Sequence, residues 1–234
     1  MISKFLGRYY ALLDIFCEKL WNLSFSSRPS TKVLMYHEVS DEYPTDSCHH
    51  TVDEFRNTLE RFEKQGIAFI PIENLFAAHP GHQSIDKCVI SFDDVPESFY
   101  KNAYPILKDK GIPFTLFLSQ KYIGQEGFLS ISQVRELSKD PLCTIGAHTI
   151  SHCMLRKTNN SKDEMLQSKQ QLESLLNKEV KYLAYPYGKH SSVSCKIRKQ
   201  AQECGFDAAF GTIDAPITSF TLLYRYYLPR MVVR

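Results

Sequence analysis

From residue 33 onward, short apolar runs alternate with amphipathic stretches of helical period. That alternation restricts the chain to a mostly parallel sheet covered by helices. Strands are expected at 33–37, 68–70, 88–92, 113–118, 142–146, 181–185 and 228–233, and helices at 52–65, 98–110, 131–138, 161–177 and 191–204. Gly66 and Gly111 stop two of these helices. No internal repeat or low-complexity tract interrupts the pattern. In sheets built from such units the reactive groups gather at the C-terminal ends of the strands.

Two of those ends carry metal-ligand chemistry. Asp93-Asp94 closes the run Cys88-Val89-Ile90-Ser91-Phe92, and His148-Thr-Ile-Ser-His152 follows another apolar run and a glycine. Past the strand, where alternation no longer separates them, both carboxylates can face one pocket. Two histidines four residues apart on a helical turn lie on one face and can reach a single ion. Together these groups supply three ligands to a divalent cation and leave one acid free to accept a proton, which is the inventory of a metal-dependent hydrolase.

These residues resemble the motifs of the NodB-type polysaccharide deacetylases, carbohydrate esterase family 4. The family's T-F-D-D-G appears as Ser91-Phe92-Asp93-Asp94-Val95, its H-[ST]-x-x-H as His148 to His152 unchanged, and its R-x-P-Y as Ala184-Tyr185-Pro186-Tyr187. Tyr104-Pro105-Ile106-Leu107 and Gly111-Ile112-Pro113-Phe114-Thr115-Leu116-Phe117 resemble the family's intervening helix and strand. Leu34-Met35-Tyr36-His37 resembles the M-Y-H strand that precedes the first motif in the poly-N-acetylglucosamine deacetylase branch. The resemblance runs from about Lys32 to the C-terminus and implies an α/β fold, a distorted (β/α) barrel of about seven parallel strands in a single domain.

The resemblance also implies roles. Asp94, His148 and His152 are expected to hold Zn²⁺, or another divalent metal such as Co²⁺ or Ni²⁺. Asp93 is expected to be the general base and His37 the general acid, with Pro186 and the backbone N–H of Tyr187 at the substrate's oxyanion. The substrate implied is an N-acetylated glycan or a lipid-linked amino sugar, deacetylated with release of acetate. Two other readings share the site: an O-acetyl esterase or other amide hydrolase, and a catalytically degenerate carbohydrate-binding protein. Ala184 stands where many family members carry an arginine that orients the base, and Arg230 could supply that guanidinium from the last strand or be a surface arginine beside Pro229. Val95 replaces the glycine of the first motif, and a β-branched residue disfavours the positive φ that glycine permits. His49, His50, His79, His82 and His190 have no motif context.

A net charge of +2 without a Lys/Arg run excludes the electrostatic footprint of a nucleic-acid binder. Seven cysteines with no C-x-x-C pair fit a reducing compartment better than a disulfide framework. Residues 1–23 mix Ile2, Phe5, Leu6, Tyr9, Leu12, Phe16 and Trp21 with Lys4, Arg8, Asp14, Glu18 and Lys19. That is too charged for a spanning helix of about 20 residues and lacks the apolar core of a signal peptide. It reads as an amphipathic helix, either lying in a membrane interface or packed on its own domain. Residues 1–31 are therefore expected to be this helix and a linker, 32–234 the catalytic domain, and the location cytoplasmic or peripheral at the inner face of a membrane.

Overall fold

The computed structural model describes residues 31–42, 49–76, 85–218 and 221–233, with Leu12, Ile15, Phe16 and Lys19 in helical conformation. The remainder of the expected N-terminal helix, the expected linker at 24–31 apart from Thr31, which opens the first strand, and His79 and His82 lie outside the described residues. No helix among the described residues is long and apolar enough to cross a membrane.

The strands are β1 (Thr31–Tyr36), β2 (Glu38–Val39), β3 (His49–His50), β4 (Ala68–Phe69), β5 (Lys87–Asp93), β6 (Phe114–Leu118), β7 (Cys143–Ala147), β8 (Tyr182–Ala184), β9 (Ala208–Phe210) and β10 (Met231–Val232). The helices are α1 (Val52–Lys64), α2 (Tyr104–Asp109), α3 (Ile131–Leu137), α4 (Ser161–Leu176) and α5 (Cys195–Glu203). The main sheet runs β10-β1-β5-β6-β7-β8-β9, with β4 paired to the start of β5, and all of these pairings are parallel. A bridge between Phe210 and Leu228 brings the segment leading into β10 against β9. The curled sheet therefore nearly meets itself, in the barrel geometry expected.

Alternation on β5 shows how the sheet divides its side chains. Cys88, Ile90 and Phe92 point outward into the layer shared with the helices, while Val89 joins an inner cluster with Val33, Phe117, Tyr182, Ala184, Phe210 and Leu228. By the period of two, Ser91 and Asp93 fall on that inner side as well. Phe92, fully buried, packs on Tyr36, Phe55 and Phe99 with ring centroids 4.7–6.0 Å apart; burying such a side chain contributes about 1.5–3 kcal/mol. Gly146 is required on the inner side of β7, because a Cβ there would lie 2.5 Å from the Phe117 ring.

Local chemistry explains the helix limits. Thr51 caps α1 in a reciprocal capping box with Glu54, and Ser130 does the same for α3 with Gln133. The expected helix at 98–110 passes through a π-turn, Phe99–Ala103, into α2, with Pro105, which has no N–H to give, just after the π-turn. Sequence patterning misses β9: three residues, Ala208-Ala209-Phe210, are too few to display a period.

Candidate metal centre

Asp93 is the last residue of β5 and points into the barrel, where Arg230 meets it. The guanidinium donates from both terminal nitrogens to the two carboxylate oxygens, each at 2.6 Å, and Nε donates to the Gly211 carbonyl at 3.1 Å. Both residues are buried, Arg230 completely, and the guanidinium also lies over the Phe117 ring at 5.1 Å. Burial by itself would raise the Asp93 carboxyl. The charge of Arg230, bonded to both carboxylate oxygens, overcomes that and holds it well below the usual carboxylate range. Ala184, at the family's arginine position, faces the same interior as a small side chain.

At Asp94 the chain leaves the strand through two successive left-handed residues, Asp94 at φ 59° and Val95 at φ 51°. This conformation costs a residue with a Cβ about 1–2 kcal/mol, and it is least expected for a β-branched one. Val95 keeps the backbone that glycine would adopt freely, and its side chain is buried in the outer core. The turn swings the Asp94 carboxylate away from Arg230 and toward the two histidines.

His148 follows β7 directly and His152 comes four residues later, but the connecting segment is not helical. Thr149 and His152 are left-handed, at φ 65° and 53°. This corrects the expectation that a helical turn aligns the pair; an irregular loop does so. The loop is held from both sides. Glu164, in the first turn of α4, accepts from the N–H of Ile150 (3.1 Å), the N–H of Ser151 (2.9 Å) and the Ser151 hydroxyl (2.8 Å). The Ile150 carbonyl accepts from the Lys121 N–H (2.8 Å) and the Ser119 hydroxyl (3.1 Å).

The three groups converge. Nε2 of His148 lies 3.8 Å and Nε2 of His152 3.5 Å from Asp94 Oδ1, and one ligand atom from each residue lies within 4.8 Å of the others. These separations are close to the roughly 3.3–3.5 Å edge of a tetrahedron with bonds of 2.0–2.1 Å. His148 Nδ1 is 2.8 Å from the Ala184 carbonyl, which can only accept, so Nδ1 carries the proton and Nε2 offers its lone pair. Burial pushes the His148 imidazole down to about 3 and lowers that of His152, so both are neutral and make no ion pair with Asp94. Burial, with the charge of Asp93, pushes the Asp94 carboxyl up to about 7, and its Oδ1 has no hydrogen-bond partner among the described residues. Two neutral imidazoles and a destabilised carboxylate with an orphaned oxygen fit a divalent cation, which would reverse each of these penalties.

The remaining expected residues lie around this centre. His37 follows β1, the neighbour of β5, one residue past the Tyr36–Phe92 pairing and so beside Asp93. Tyr187 is exposed, with φ 63°, and its ring centroid is 5.2 Å from that of His152. Pro186, buried, fixes the entry to that turn. On the other side of His152, Tyr122 approaches to 5.7 Å and stacks on Phe128 at 4.5 Å. Sequence alone does not single out Tyr122, Lys121 or Glu164. An acid in a helix's first turn reads as a dipole partner, and only the fold shows what Glu164 reaches.

The sequence model of the polysaccharide deacetylase family matches residues 81–209, which span both carboxylates, both histidines and the Pro186-Tyr187 turn. Among curated proteins, the chain is 31% identical over 159 residues to the poly-β-1,6-N-acetyl-D-glucosamine N-deacetylase of Staphylococcus aureus, covering 62% of this chain and 53% of that protein. It is 27% identical over 184 residues to the Bacillus subtilis protein YxkH, covering 77% of this chain and 63% of that one. The chain thus spans between about half and two thirds of these relatives' length. Two solved structures share the fold: IcaB from Ammonifex degensii, with a TM-score of 0.72, 23% identity and coverage of 88% of this chain and 92% of that one; and the deacetylase PplD from Streptococcus pyogenes, with a TM-score of 0.75, 21% identity and coverage of 88% and 94%.

Proposed function

The chain belongs to the polysaccharide deacetylase family, and on that premise we propose that it hydrolyses N-acetyl groups from amino sugars in a glycan or glycolipid, releasing acetate and leaving a free amine. The observation that carries this reading is the pairing of two unlike carboxylates. Asp94 shares a donor triangle with His148 and His152, while Asp93, one residue away, is turned aside by Arg230. The name of the Staphylococcus aureus relative supports a poly-N-acetylglucosamine type of substrate.

Asp94, His148 and His152 are the residues that would hold the cation, with Zn²⁺ the best match to one carboxylate and two imidazoles and Co²⁺ or Ni²⁺ the alternatives. When bound, such an ion supplies a Lewis acid that polarises the acetyl carbonyl and acidifies water. Asp93 takes the proton from the attacking water. Arg230 keeps that carboxylate ionised and in one orientation, since two parallel charge-assisted bonds fix its plane. The Tyr187 backbone N–H, presented by the left-handed turn after Pro186, donates to the developing oxyanion. His37, which follows the strand next to that of Asp93, gives a proton to the departing amine, which cannot leave as an anion.

Acetate release tests the proposal. Purified protein of known metal content is offered oligo-N-acetylglucosamine, peptidoglycan fragments and lipid-linked amino sugars. Metal-dependent acetate from at least one amide substrate is expected. Fully metal-loaded protein that releases acetate from none of them, yet binds glycan, would refute it in favour of a binding role.

A further inference from the structure

The loop that carries the second histidine is the least self-supporting part of the centre. Thr149 and His152 are both left-handed, and neither is glycine. Within 149–152 the backbone is not helical, so its polar groups must find partners elsewhere. They find them mainly on one helix. Glu164 Oε2 accepts from two successive backbone N–H groups, Ile150 and Ser151, while Oε1 accepts from the Ser151 hydroxyl. One turn further along α4, buried Ser168 exchanges two hydrogen bonds of 2.9 Å with Gln120, adjacent to the Ser119 and Lys121 groups that hold the Ile150 carbonyl. One face of α4 therefore braces both walls of the loop, and Glu164 is the only one of these braces that grips two consecutive amides immediately before His152.

We propose that Glu164 is a positioning residue of the metal centre: by clamping Ile150 and Ser151 it sets the separation and aim of His148 and His152, and so the affinity of the triad for a divalent cation. The inference rests on the reading of Asp94, His148 and His152 as the cation's ligands. Glu164 acts on the ligands through the loop, by its three bonds to Ile150 and Ser151. Outer partners that orient ligands in this way change metal affinity by roughly 10–100-fold when removed.

The test measures the dissociation constant for Zn²⁺ by competition with a chromophoric chelator, together with the visible spectrum of the Co²⁺ form, which reports ligand geometry. Glu164→Ala should weaken binding by about 10–100-fold and alter the Co²⁺ spectrum. Glu164→Gln should restore both, since its amide oxygen can accept from the two N–H groups and its NH₂ can donate to the Ser151 hydroxyl. Lys162→Ala, on the exposed face of the same helix, where it pairs with Glu203, should behave as wild type. Unchanged affinity in Glu164→Ala overturns the proposal, and so does a Glu164→Gln protein as weak as the alanine variant, because charge and not clamping would then be the cause. Should Glu164→Ala fail to fold, Glu164→Asp, one methylene too short to span the clamp, takes its place; wild-type affinity in that variant overturns the proposal equally. A wild-type protein with no measurable affinity for Zn²⁺ or Co²⁺ would instead remove the metal reading on which this inference rests.

Discussion

Replacing Arg230 by methionine should destabilise the protein and shift its activity toward higher pH. The guanidinium is fully buried and is bound to both oxygens of a buried carboxylate, with a third bond to the Gly211 carbonyl. Removing one member of such a pair strands the other charge, at a cost of about 3–5 kcal/mol. For a chain of this size that corresponds to a fall in Tm of roughly 6–20 °C. The pH dependence has a definite sign. The folded-state value of Asp93 lies below its unfolded value, so the pair's contribution is complete above the unfolded carboxylate range and disappears as pH falls toward the folded value. Without Arg230, burial dominates and the Asp93 carboxyl rises. The acidic limb of the kcat profile should therefore move to higher pH, and the loss of stability in acid should flatten. Calorimetry of wild type, Arg230→Met, Asp93→Asn and the double variant measures the coupling. The double variant should recover much of the loss, since neither charge is then left alone. Additive losses, or an acidic limb that stays in place, would contradict the reasoning.

Asp94→Ala, His148→Ala and His152→Ala should each lose both bound metal and turnover, whereas Asp93→Asn should retain metal and lose turnover; metal analysis of the four purified variants decides, and the opposite pattern for the two aspartates would reverse their roles. His37→Ala should keep metal and fold, lower kcat by about 10²–10⁴-fold and remove the basic limb, with far smaller loss on an activated aryl acetate; equal losses on amide and ester would return His37 to a structural role. Deleting residues 1–23 should abolish sedimentation with anionic vesicles and leave activity on short soluble substrates intact. Equal vesicle binding with and without the segment would exclude an interfacial helix, and unfolding on deletion would indicate that it packs on its own domain.

Much of this arrangement is written in local patterns. Outward Cys88, Ile90 and Phe92 alternate with inward Val89, Ser91 and Asp93, and a period of two identifies both the strand and the end at which its acids emerge. The paired histidines are equally plain as a motif, but their backbone is not. No propensity favours left-handed Thr149, His152 or Val95; the loop that carries the first two is held by bonds from residues outside it such as Glu164 and Lys121, and pairing across such a span leaves no trace in local periodicity. The same applies to Arg230. Its neighbours Pro229 and Met231 fit a surface position as readily as an interior one, and only closure of the sheet, with Met231 opposite Leu34, turns it inward.

The ion pair at the heart of the barrel also has a history within the lifetime of each molecule. Asp93 and Arg230 are 137 residues apart, so a ribosome delivers the acid, both histidines and Asp94 well before the base that neutralises Asp93. Until the last strand docks beside β1, a nascent chain holds Asp94, His148 and His152 and yet carries an uncompensated carboxylate where the barrel should close. Burying that charge unpaired is unfavourable, so the inner cluster reaches its full stability only when Arg230 arrives. Closure of the barrel thus comes in one late step, and a chain cut short after β9 would keep Asp94, His148 and His152 but lack the guanidinium that pairs with Asp93.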